Sequence, residues 1–189
     1  MRTNRLAVFA LIALGAMAMA GCYNGNSTAD SVAPVFLSTT VEPGPAEVSM
    51  SAGADVTIEA LTITSHPKSP SVTLSAQDDV ILTQWVVTCT RTDGGTVASP
   101  QWQNFYTAYV PANGTATLAN YRIFPAEYFS QAPLYQLFPQ NGGIDKETSN
   151  TNIRQKLHIE IFGKTVAGKA ISVAFDVNLK FAYQFVPAT

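Results

Sequence analysis

Between Ile171 and Tyr183 seven apolar residues recur at every second position: Ile171, Val173, Phe175, Val177, Leu179, Phe181 and Tyr183. Ser172, Ala174, Asp176, Asn178, Lys180 and Ala182 fill the gaps. A helix of 3.6 residues per turn would scatter the apolar set around its circumference, whereas a strand sends alternate side chains to opposite faces. This stretch is therefore a half-buried strand, and the surrounding chain must supply the sheet and the opposing core surface.

The rest of the chain offers matching partners. Arg154 to Phe162 places Leu157, Ile159 and Ile161 inward and His158 and Glu160 outward, and Gly163 to Lys169 turns the chain. Val80 to Arg91 groups Ile81, Trp85, Val87 and Cys89 on one face against Gln84, Thr88 and Thr90. Ala54 to Thr64 starts with Val56, Ile58 and Ala60 in phase, then shifts at Leu61 and Ile63, as a bulge or a change of face would require. Val35 to Val41 is a first strand, followed by the punctuation Pro43-Gly44-Pro45. His66 to Pro70 reads as a loop because its prolines cannot donate to a ladder, and Asp93-Gly94-Gly95 reads as a turn. Gln101 to Val110 and Gly114 to Ile123 flank Pro111-Ala112-Asn113-Gly114, where the Asn-Gly pair predicts a hairpin. From Phe124 to Asn141 three prolines, Pro125, Pro133 and Pro139, preclude a long helix or a central strand. That segment reads as a crossover opening on one helical turn at Pro125 to Phe129, with a polar loop onward through Asn152.

About seven strands, one long crossover and almost no helix resemble a single immunoglobulin-like or fibronectin type III-like β-sandwich, all-β in class. Trp85, on the third strand, is in keeping with that family's core tryptophan, and the disulfide of antibody domains is absent. Val87 to Gly95, Pro111 to Leu118 and Ile161 to Lys169 resemble segments of uncharacterised bacterial lipoproteins, a likeness that brings no assigned activity.

The N-terminus carries an address. Arg2 and Arg5 precede the apolar run Leu6 to Ala20, which has signal-peptide length and is short for a membrane span. The run ends in Met19-Ala20-Gly21-Cys22, which resembles the bacterial lipobox, with Met19 where leucine is usual. The resemblance implies cleavage before Cys22 and acylation of its thiol. Ala18-Met19-Ala20 is also an A-x-A site, which leaves plain secretion to the periplasm or medium as the alternative. Tyr23 to Pro34 has no apolar periodicity and reads as a flexible tether. The organisation is then a leader over residues 1–21, a lipidated cysteine and tether over 22–34, and the sandwich over 35–189. The absence of Asp after Cys22 favours, by analogy with lipoprotein sorting, the outer membrane of a Gram-negative envelope.

Charge limits the partners. Without Arg2 and Arg5, nine bases face thirteen acids, a net −4, which argues against nucleic acid and offers no polybasic patch for lipid headgroups. The membrane partner is reached through the lipid alone. If Cys22 is acylated, Cys89 has no pairing partner, and it reads as a small buried hydrophobe, with an intermolecular disulfide as the alternative.

Candidate chemistry is sparse. The two histidines, His66 and His158, are far apart, and no G-x-S-x-G elbow occurs. His158 with Glu160 reads either as a base beside a carboxylate or as a solvated cross-strand pair. Neither a zinc nor a blue-copper ligand set is present, Cys89 being followed by Thr-Arg-Thr-Asp-Gly-Gly. Asp78-Asp79, Asp93 and Asp145-Lys146-Glu147 are loop acids that match no calcium-loop spacing. No cofactor is implied. The aromatic residues Trp102, Phe105, Tyr106 and Tyr109, with Tyr128, Phe129, Tyr135 and Phe138, read as core and crossover packing, because Phe105 and Tyr109 fall in phase. The alternative is an exposed platform for sugars or a partner. Within the crossover, Tyr135, Leu137 and Phe138 form the first candidate partner surface. The expectation is a membrane-anchored, non-catalytic binding or structural module of the cell envelope. A glycan-acting or other hydrolytic enzyme and a subunit of a surface fibre are the alternatives.

Overall fold

A computed structural model describes residues 31–42 and 46–184. Cys22, the leader, most of the tether and Pro43-Gly44-Pro45 lie outside the described residues. Eight strands are present: β1 (Val35–Val41), β2 (Glu47–Ser49), β3 (Val56–Pro67), β4 (Val80–Arg91), β5 (Trp102–Val110), β6 (Thr115–Phe124), β7 (Asn152–Thr165) and β8 (Ala170–Ala182). They form two sheets, a three-stranded one ordered β1-β3-β6 and a five-stranded one ordered β2-β8-β7-β4-β5. All pairings are antiparallel except that of β2 with β8. Strand β2, three residues long, has no apolar period to announce it.

Both sheets bury their inner faces in one core. Trp85 of β4 stacks on Tyr121 of β6 with ring centroids 4.1 Å apart, and Phe124 of β6 meets Phe181 of β8 at 5.0 Å. Phe129, from the crossover, lies on both of those phenylalanines at 5.9 and 6.3 Å. Such offset and tilted contacts suit the quadrupoles of the rings. The buried Trp85 indole still finds an acceptor, the Tyr106 carbonyl at 3.4 Å, so its N–H is not left unpaired.

The phase shift in β3 is real and is shared. Val56 and Ile58 point inward, then Leu61, Ile63 and Ser65. On β6 the inward set likewise switches from Ala116 and Leu118 to Tyr121 and Ile123. Both strands take the extra residue at one level, so Ile58 still pairs Tyr121 and Leu61 still pairs Leu118, and Asn120 absorbs the kink at φ 51°.

Several expectations need correction. His66 and Pro67 belong to β3, where His66 pairs Phe36, and are not loop. Ile81 is half-buried and faces away from Trp85, because β4 slips register between Leu82 and Gln84; Val80 and Leu82 take the core positions instead. Pro111-Ala112-Asn113-Gly114 does turn, with the Gly114 N–H bonded to the Pro111 carbonyl at 2.9 Å and Asn113 at φ 53°. Yet β5 and β6 lie in different sheets, so it is an intersheet corner and not a hairpin. The crossover holds three short 3-10 turns, at Ala126–Ser130, Leu134–Leu137 and Pro139–Asn141. At the N-terminal side, Ala33 is already buried and Pro34 accepts a bond from the Lys68 N–H, so the packed chain starts before Val35.

Candidate functional site

Strand β5 ends the five-stranded sheet, pairing β4 alone. Its sequence, WQNFYTAYV, contains no charged residue. Gln84 opposes Phe105 and Ile81 opposes Tyr109, which places both aromatic residues on the outward face of the sheet. Between these pairs β5 carries one residue more than β4 spans, and the irregularity leaves Phe105, Tyr106 and Thr107 all exposed in succession. Phe105 is 74% exposed and Tyr109 53%. The expectation that they fall in the core is thus overturned. Alternation does set them on one face, but that face is the solvent side, and Trp102, Ala108 and Val110 fill the core positions.

The neighbours of this strip are mostly neutral. Gln103 lies two residues before Phe105 on the same face, and Phe162 of β7 opposes Gln84 from the other side. The first charges met across the sheet are Glu160 and Lys164 of β7, opposite Val86 and Ile81. At the end of the strip the Tyr109 hydroxyl bonds Asp79, whose other oxygen accepts the Ala112 N–H at 2.7 Å. These two bonds hold the Asp79 carboxyl below its ordinary range, and the Tyr109 phenol is raised in turn. The Tyr109 ring is therefore fixed in orientation. Tyr106 leans around the rim, its ring edge-on to Tyr121 at 5.8 Å.

The other candidate residues are spent on structure. Arg91, at the far end of β4, is almost fully buried and holds Asp93 and Asp145 at 2.7 Å each, with Glu147 at 3.5 Å. Asp93 also accepts the Arg154 N–H, and Glu147 accepts those of Thr96 and Val97. Burial opposes ionisation of Asp145, but bonds from Thr148 and Arg91 outweigh it and keep the carboxyl below its usual range. Asp93 is held low by the same balance. These acids, read from sequence as calcium candidates, surround a guanidinium. No cluster of three or more His, Cys, Asp or Glu suited to a metal occurs among the described residues. Asp78 instead closes a capping box with Ser75.

His158 is paired across strands with Asp176, Nδ1 lying 2.7 Å from Oδ1, and Lys156 reaches the same carboxylate at 3.3 Å. Its carboxylate partner is thus Asp176 and not Glu160, and the trio is half-exposed on an open sheet face. His66 Nε2 lies 2.8 Å from Ser38 Oγ and its ring stacks on Phe36. A serine and a base meet there, but no carboxylate bond to His66 accompanies them, so the pair lacks the group that would orient the imidazole. Cys89 is buried, and desolvation pushes its thiol up to about 12, leaving it protonated at neutral pH. In the crossover, Leu137 is 1% exposed and Tyr135 and Phe138 are half-buried, so the surface expected there is reduced to two partly covered rings. A cleft of about 560 Å³ opens beside them between Pro139, Gly142, Asn152, Lys180 and Tyr183.

No family model matches the chain, and no curated protein does.

Proposed function

We propose that this chain is a lipid-anchored, non-catalytic binding module of the cell envelope, carried on an immunoglobulin-like β-sandwich, with the outward face of β5 as its contact surface. The single observation behind the binding role is Phe105 and Tyr109 standing open together on a charge-free outer strand. A sheet in water keeps large rings inside unless a contact rewards their exposure. The sandwich reading is supported by the strand order, in which the first strand is split, β1 joining one sheet and β2 running parallel to β8 in the other. The anchor rests on Met19-Ala20-Gly21-Cys22 behind its apolar leader, and the outer-membrane address on the absence of Asp after Cys22.

The test is co-sedimentation of protein carrying Cys22→Ser with washed envelope fragments, so that the lipid no longer decides the outcome. Retention should fall about tenfold when Phe105→Ala and Tyr109→Ala are combined, the scale of losing two aromatic contacts. Retention indifferent to both rings would refute the contact surface.

A further inference from the structure

Resting on the binding-module reading, we propose that the occupant of the β5 face is a neutral linear glycan, with one sugar ring stacked on Phe105, another on Tyr109, and the Gln84 and Gln103 amides bonding its hydroxyls. Four features of the strip favour this ligand. First, two rings on one face, four residues apart, are separated by up to about 13 Å at ~3.3 Å per residue. That suits successive rings of an extended chain better than a single compact molecule.

Second, the polar groups beside the rings are neutral. Gln84 pairs directly with Phe105, Gln103 precedes it on the same face, and neither β5 nor the outward positions of β4 from Ile81 to Val86 carry charge. Hydroxyl-rich, uncharged ligands ask for this combination of apolar ring faces and amide donors and acceptors. An anionic polymer would need lysine or arginine here, and Lys164 stands opposite Ile81 on β7, beyond β4.

Third, Tyr109 is preorganised. Its hydroxyl bond to Asp79 fixes the ring before any ligand arrives, which lowers the ordering cost of binding. Fourth, the backbone disfavours the rival occupants, a strand from another protein or from a second copy. The irregularity between Phe105 and Ala108 interrupts the straight run of edge N–H and C=O groups that strand addition requires, while turning consecutive side chains outward. The strand is built to present rings more than backbone.

The experiment is isothermal titration of the full-length protein, held in a sugar-free zwitterionic detergent, with cellohexaose, chitohexaose and maltohexaose. At least one hexasaccharide should bind. Phe105→Ala and Tyr109→Ala should each weaken it about tenfold. Tyr109→Phe keeps the stacking face and should stay within about twofold, and the paired control Thr62→Ala with Thr117→Ala, on the opposite sheet, should change nothing. Circular dichroism melts of each variant check that folding is intact; Phe105 is exposed enough for its removal to leave the core alone. Absence of heat with all three sugars overturns the proposal, as does binding that ignores Phe105. So does a dimer, seen by light scattering, that dissolves on Phe105→Ala. If envelope retention still depends on the two rings while the hexasaccharides fail, the glycan is refuted and the binding module stands.

Discussion

Arg91 and Asp145 show how much of this molecule hangs on single charges. A guanidinium with 2% of its side chain exposed would be costly alone; here Asp93 and Asp145 neutralise it, and Val97 supplies a carbonyl. Removing one partner leaves a buried charge uncompensated, so Asp145→Ala should destabilise the fold by about 3–5 kcal/mol, measured by urea unfolding at pH 7. The pH dependence has a definite sign. Asp93 and Asp145 ionise more readily folded than unfolded, so their stabilisation is complete above the unfolded carboxylate range, near pH 4, and is lost as pH falls through their lower folded values. Urea midpoints should therefore drop steeply below about pH 4 in the parent and less steeply in Asp145→Asn. Gly95 shares in the cluster: a Cβ there would lie 2.3 Å from the guanidinium. None of this was legible in the sequence, where Asp93, Asp145 and Glu147 read as unrelated loop acids, because the residue that unites them sits 54 positions from Asp145.

At the scale of strands, period-two patterning located β1 and β4 to the residue and β8 to within one, since half-burial is written into alternation itself. It failed where a bulge changes phase, at Ile81 and Thr83, and where pairing is decided by distant partners. The Asn113-Gly114 corner has the local geometry its sequence demands, but local geometry does not choose whether the next strand stays in the sheet or leaves it. Phe105 and Tyr109 were correctly placed on a common face, yet alternation has no sign: it cannot say which face is wet. That is why the candidate site lay one inversion away from the sequence reading. The bulge in β4 also sets a constraint on β7. Gly163 opposes Leu82 there, and a Cβ at 163 would fall 2.3 Å from the Ile81 carbonyl oxygen and 2.8 Å from the Leu82 Cα. Both obstacles are backbone, so Gly163→Ala should cost about 1–3 kcal/mol, visible as a lowered melting temperature. Gly168→Ala, in open space at φ 83°, is a useful comparison because its strain is conformational only.

At the scale of the whole molecule, the anchor and the body make separate demands. The expected form in membranes is a chain that begins at Cys22 and carries acyl groups. Intact mass spectrometry of the detergent extract checks this, and a mature chain beginning at Gly21 would instead establish ordinary secretion. The body itself has two unlike ends. Ser31 and Val32 lie against Phe162, Gly163 and Ala170 to Ser172, and Lys68 bonds Ser31, so the chain enters beside the β7–β8 turn. The Arg91 cluster closes the opposite end, tying the β4–β5 connection to the loop before β7. A body moored by its N-terminus rides with the turn inboard and the charged lock outboard. The part that projects furthest is then a braced crown, and the aromatic strip of β5 climbs the flank between, facing sideways along the membrane instead of away from it.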